Sequence, residues 1–376
     1  MLKFLKGKLG HVSVPCLMRT KITAPIVSAL VHWFDADYHA ATGWGRVRDL
    51  DRINWLRCTP FLILHIGCLA VFLVGWSWIA VCTAVGLYVV RMFAITGAYH
   101  RYFSHRTFKT SRPAQLIFAI LGASSAQRGP LWWAANHRNH HRESDTPNDP
   151  HSPAHHGFFR SHAGWFMATR YYATQYHRIR DFARFPELVW INRFDKAVPA
   201  ALGLFVYLCG LGLEYTLPSL GVTGMQLFVW GFVLSTTLLF HATASINSVA
   251  HVFGRKRYDT SDESRNSFLL ALITLGEGWH NNHHKHMSCA RQGFYWWEID
   301  ITFYILKSLS WLGIIWDLKP VPRKAYDRAV QLPMRAMRRR YATTKAVAFY
   351  PSRAVSRTNS RLLRSQRPSD ANQLHM

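Results

Sequence analysis

Two long apolar blocks constrain this chain more than any other feature. The first runs from about Pro60 to Tyr99, the second from about Ala197 to Val249. At 1.5 Å of rise per residue, the first block alone makes about 60 Å of helix, two crossings of a ~30 Å hydrocarbon layer. Each block has a break where a hairpin can turn. In the first it is Gly75-Trp76-Ser77-Trp78, whose tryptophans suit a membrane interface. In the second it is Glu214–Pro218 followed by Gly221–Gly224. Backbone polar groups in lipid must bond within their own segment, so each crossing is a helix. The expected fold is an all-α integral membrane protein with four transmembrane helices in two hairpins, at about 60–76, 79–99, 197–217 and 225–249. Arg91, inside the second span, is expected to snorkel or to pair.

Two shorter apolar stretches do not fit a crossing. Ala114–Ala126 reads as an interfacial or buried helix. Ile299–Ile315, interrupted by Lys307 and Ser308, reads as an amphipathic interfacial helix. With very short loops on one side, the N-terminal segment 1–58, the central stretch and a basic tail, 321–376, all lie on the other. The membrane domain is then 59–320. Lysines and arginines number 45 against 20 acids, a net charge of +25. They concentrate in those segments, which makes that side cytoplasmic, with a bacterial inner membrane as the expected location. Beside the apolar blocks, such charge points to anionic lipid rather than nucleic acid. The tail is expected to be disordered or apposed to the membrane. The six cysteines form no CxxC pair, which argues against a disulfide framework or a zinc finger. The start, MLKFLKGKLGHVSVP, is broken by Lys8, Gly10 and His11 and does not read as a cleaved signal peptide.

Twenty-one histidines complete the pattern, many in tight groups. The groups are His100 with His105, His137-Arg-Asn-His140-His141, Asn247-Ser-Val-Ala-His251, and His280-Asn-Asn-His283-His284. In HxxHH the residues stand at i, i+3 and i+4 on one helix face, so three imidazoles are expected to converge on one point. His100 and His105 are five apart, too far round a straight α-helix, so the span is expected to unwind between them. Nine imidazoles exceed one first-row metal's coordination sphere and fit two. No cysteine joins them, and no HExxH motif is present. Non-haem iron and oxygen chemistry is the leading reading. Asp145, Asp149, Glu277, Glu298 and Asp300 stand near the groups, where they either accept the second N–H of a ligating ring or form surface ion pairs. His162 is a further candidate to orient a ligand. Isolated histidines such as His65 and His286 read as structural.

HRYFSH, then HRNHH with SDTPNDPHSP, then NSVAH, then GEGWHNNHH together resemble the membrane fatty acid desaturases. WWAANHRNHH, GFFRSHAGW and ARQGFYWWEIDITFY are similar to the bacterial branch of the acyl-CoA Δ9-desaturases, over roughly residues 50–320. The resemblance implies four helices under a cytoplasmic helical cap that holds two irons. It implies His100, His105, His137, His140, His141, His251, His280, His283 and His284 as ligands, with Asn247 reaching iron through a water. It implies an O2-dependent reaction that removes two hydrogens from adjacent methylenes and leaves a cis double bond. Trp133 and Thr243 match positions near the bend of the substrate tunnel. Animal relatives carry Arg-Asp before the second box; here Ala135 and Asn136 stand there, which leaves acyl-CoA and a phospholipid-bound chain both open as substrate. Asn282 stands where relatives often have an aromatic. No His-Pro-Gly-Gly haem motif is present, so electrons are expected from a separate ferredoxin, rubredoxin or cytochrome b5-type carrier with its reductase. A membrane hydroxylase or ketolase, and a non-catalytic metal-handling protein, are the alternatives.

Overall fold

A computed structural model describes residues 31, 33–38 and 50–327 of the chain. Most of the expected N-terminal segment and nearly all of the basic tail lie outside the described residues. The described part is helical, with a single two-stranded pairing of Lys109–Thr110 against Ile315–Trp316. Four helices are long and apolar enough to cross a membrane: Trp55–Val74, Trp78–Ser104, Ala197–Thr216 and Gly224–His251.

The hairpin turns are built from small and capping residues. Gly75 takes φ +66°, a left-handed conformation open to glycine. Ser77 then caps the second span by accepting from the Ala80 N–H at 3.2 Å. The second hairpin turns at Gly221, also left-handed. The two turns are tied together. Gln226 Nε2 donates to the Val74 carbonyl at 3.0 Å, and Trp230 Nε1 donates to that of Gly75 at 2.8 Å.

The spans differ in what surrounds them. The first and third are largely outward-facing, whereas the fourth is mostly buried. Arg91, on the second span, is only 1% exposed. It pairs rather than snorkels, donating to the Ser124 carbonyl, to Thr236 Oγ1 at 2.7 Å and to Ser235 Oγ. These neutral oxygens satisfy a charge that hydrocarbon would reject.

The second span does not unwind near its C-terminal end. From Ala94 to Ser104 it is a π-helix. His105 N–H donates to the His100 carbonyl at 3.2 Å, an i→i+5 bond. Widening the helix takes one more residue into each turn and brings positions five apart onto one face. The expectation of an unwound segment is therefore corrected: a wider helix keeps its backbone bonds and still aligns both rings.

Short helices cap the spans. Arg112–Ala123, capped by Ser111, buries Phe118 and Ala119 while Ile117 and Ile120 stay exposed. At Gly122 a methyl group would lie 2.1 Å from the Tyr99 ring, so only glycine permits this approach to the second span. Ile301–Trp311 is about 16 Å long, too short to cross, and leaves Trp311 exposed.

Candidate metal centre

The helix Pro130–Glu143 carries the HRNHH box. Asn192 Oδ1 accepts from its Trp132 N–H at 2.7 Å and fixes its start. The short helix His280–Lys285 carries HNNHH and is held by its own asparagines. Asn281 Oδ1 accepts from the Arg257 and Tyr258 N–H groups, each at 2.7 Å. Asn282 Nδ2 donates to the Gln292 carbonyl at 2.9 Å and to Glu298 Oε2 at 3.0 Å. Asn282 is fully buried, so an amide here binds backbone that an aromatic ring would leave unsatisfied.

All nine expected histidines come together, but in two groups. His100, His105, His137, His141 and His283 form one; His140, His251, His280 and His284 form the other. Each HxxHH box is therefore split. Its i and i+4 rings go to one group and its i+3 ring to the other, which corrects the expectation of three rings converging on one point. The cause is helical pitch: i+3 and i+4 stand about 100° apart around the axis, so a box lying between two centres serves both.

In the five-histidine group the Nε2 atoms face one another. His105 to His137 is 2.8 Å, His137 to His141 2.9 Å, His141 to His283 2.9 Å and His283 to His100 3.0 Å. Each ring nitrogen carries either a proton or a lone pair, so three of these atoms each meet two competitors. Two ligands about 2.1 Å from one cation and at right angles to each other lie about 3 Å apart, which matches this spacing. In the four-histidine group His251 and His280 Nε2 are 3.1 Å apart. Among the described residues, the buried Nε2 atoms of His140 and His284 have no hydrogen-bond partner. Both groups thus fit a bound cation better than a hydrogen-bonded cluster.

Carboxylates orient the rings from behind. Asp149 faces His140 Nδ1 at 3.0 Å, Asp145 faces His251 Nδ1 at 2.8 Å, and Asp262 faces His284 Nδ1 at 2.7 Å. Glu277 faces His100 Nδ1 at 2.5 Å. Each arrangement leaves the Nε2 side for a metal. Burial alone would raise these carboxyls. The facing imidazoles more than offset it, with Arg101 helping at Glu277, and all four are held below the usual carboxylate range. Burial drives His105, His137, His141, His280 and His283 well below the ordinary histidine pKa, and their neighbours add to it. These rings are neutral and keep lone pairs for coordination.

Several expected roles differ in the structure. Glu298 and Asp300 face no imidazole. Glu298 accepts from the Asn282 side chain and the Phe294 N–H, and Asp300 from Arg101 and the Gln292 N–H, so they brace the 292–294 loop against the last box. His162 orients no member of either group; it bonds Ser248 Oγ at 2.8 Å and His241 at 2.9 Å. His241 in turn meets His65 at 3.0 Å. Asp262 was not foreseen. It lies in the polar loop between the third and last boxes, and only the rule that ligating imidazoles lean on carboxylates could have pointed to it. His151 lies tilted against His140, with Asp149 between them.

A cavity of about 480 Å³ reaches the two groups and is lined by His100, His137, His280 and Asn247. Trp133 and Thr243 line it too. Trp133 stacks on the His137 ring at 5.0 Å, and Thr243 Oγ1 accepts from Gln127 at 3.0 Å. Its walls are mainly apolar, with Phe61, Leu64, Phe232 and Phe240 among them.

The fatty acid desaturase family model matches residues 76–310. This chain belongs to that family. It is 36% identical over 274 residues to an acyl-CoA 5-desaturase of Anemone leveillei, covering 70% of this chain and 79% of that protein. It is 34% identical to an sn-1 stearoyl-lipid 9-desaturase of Anabaena variabilis, covering 73% of this chain and 96% of that one. A Delta-9 acyl-lipid desaturase of Arabidopsis thaliana is 33% identical, over 79% of this chain and 90% of the plant protein. The desaturase is thus an oxidoreductase with four helices suited to a membrane and a histidine site suited to metal.

Proposed function

We propose that this desaturase inserts a cis double bond, at the Δ9 position, into a saturated fatty acyl chain carried on CoA or on a phospholipid. The gathering of nine histidines into two adjacent groups beside an apolar cavity carries the reading. His100, His105, His137, His141 and His283 would hold one iron. His140, His251, His280 and His284 would hold the other, with Asn247 acting through a water. Such a pair of irons supplies the oxidising power to turn O2, two electrons, two protons and a –CH2–CH2– unit into a double bond and two waters. The rest is the protein's contribution. The apolar walls take up a chain that offers no polar handle and exclude water from the reacting carbons. Trp133, packed on His137, would fix which C–C bond lies beside the metals. Asp149, Asp145, Asp262 and Glu277 hold the rings in the tautomer that presents Nε2.

Electrons would come from a separate acidic carrier, a ferredoxin, rubredoxin or cytochrome b5-type protein, docking on the basic face. That face, by its lysines and arginines, would be cytoplasmic in a bacterial inner membrane. Expression in a host lacking its own desaturase, with a compatible donor, tests the reading. A new cis monoene in the membrane lipids, placed by mass spectrometry, is expected. A hydroxy acid instead, or an unchanged profile with the donor present, would overturn it.

A further inference from the structure

Where Arg57, Arg128, Lys196 and Tyr172 line the cavity, one guanidinium has no anionic partner among the described residues. Arg57 is the third residue of the first span and only 4% exposed. Among the described residues, none of its three guanidinium nitrogens makes a hydrogen bond of good geometry, and Tyr172 is its nearest polar neighbour. It lies over the Tyr172 ring, 3.1 Å from the centroid, and Arg128 lies over the same ring at 4.0 Å. Arg128 is satisfied: it donates to Asp195 Oδ2 at 2.5 Å and to the Tyr172 carbonyl at 3.1 Å. Lys196 takes the other Asp195 oxygen at 2.8 Å. Asp195 is thus occupied by two cations, and Arg57 is left over.

A buried charge without a partner is costly to fold, and two guanidiniums on one ring repel each other. Both costs fall when an anion enters the cavity. The planar fork of an arginine matches phosphate with two parallel hydrogen bonds. We propose that Arg57 binds the phosphate carried by the acyl donor and so sets how deep the acyl chain enters. This rests on the acyl-chain reading above. The depth of Arg57 favours a glycerophospholipid. It sits in the first turn of a helix long and apolar enough to cross a membrane, two residues after the exposed Trp55, where a span end would meet lipid headgroups. In a phospholipid only the glycerol backbone separates phosphate from acyl ester, whereas a long pantetheine arm separates them in acyl-CoA.

The test is equilibrium binding to the purified, metal-loaded full chain in detergent. The probes are radiolabelled 1-stearoyl-lysophosphatidylglycerol, stearoyl-CoA and the phosphate-free 1-monostearoylglycerol. The wild type is expected to hold a phosphate-bearing probe at least about tenfold tighter than monostearoylglycerol, the strength of one charge-assisted contact. Arg57→Gln should lose that margin at unchanged metal content without weakening monostearoylglycerol, and Arg57→Lys should recover part of it. A loss confined to the lysophospholipid assigns the phosphate to a membrane lipid; one confined to stearoyl-CoA assigns it to the nucleotide carrier. Wild-type protein with no preference for phosphate, or Arg57→Gln that binds every probe as the wild type does, would falsify the proposal. Wild type that binds the probes but desaturates none would sink the desaturase reading and leave the binding comparison standing.

Discussion

The two histidine groups draw on the same motifs but are held differently. In the four-histidine group every ring is buried, and three of the four lean on a carboxylate. In the five-histidine group His105, His137 and His141 are partly exposed, and among the described residues only His100 faces a carboxylate. The first is anchored from behind by fixed charge. The second is positioned mainly by packing of ring on ring and by the π-helix. Rigidity and access have been divided between two neighbouring centres.

Removing a ring from either group should have the largest effect. His140→Ala and His137→Ala should each lower activity by more than the 10–100-fold typical of an outer partner, with metal content falling in parallel by elemental analysis. Full metal content with activity in either variant would break the ligand assignment. Next come the carboxylates. Asp262→Asn should weaken metal retention against a chelator about 10–100-fold. Glu277→Gln should weaken it less, because His100 also packs against its own group; equal losses would erase the contrast between the groups.

A backbone change comes third. Gly276 sits beside Glu277 at φ +128°, and a methyl group there would lie 2.4 Å from Asp300 Oδ1. Gly276→Ala should cost about 1–3 kcal/mol, read as a lower melting temperature, and should disturb the His100 side first. Trp133→Ala should shift chain-length or positional preference while metal content stays the same; an unchanged product profile would remove Trp133 from the cavity's selectivity. The smallest effect belongs to Arg112, whose exposed pair with Glu187 lies outside both groups. Arg112→Ala should leave product and metal content as they were.

The boxes were legible in the sequence because their chemistry is local: HxxHH at i, i+3 and i+4 declares a shared helix region without any knowledge of the fold. The four spans were legible because lipid admits few alternatives. What the sequence hid depends on tertiary placement. Nothing local says that His140 and His141 serve different centres, since that follows from where the Pro130–Glu143 helix lies between them. Nothing local says that five-residue spacing will be met by widening the helix rather than breaking it. Asp262 reaches His284 across 22 residues of chain. Arg57 falls in the segment expected to precede the first span, and only its burial without an anionic partner sets it apart.

The splitting of each box also governs how the centre assembles. His137 and His141 cannot be fixed by one cation without fixing the turn that presents His140 to the other. The same linkage runs through His280, His283 and His284. Occupancy of one centre therefore lowers the ordering cost at its neighbour, and a half-filled protein should be scarce at equilibrium. Metal titration should follow a steep, cooperative curve.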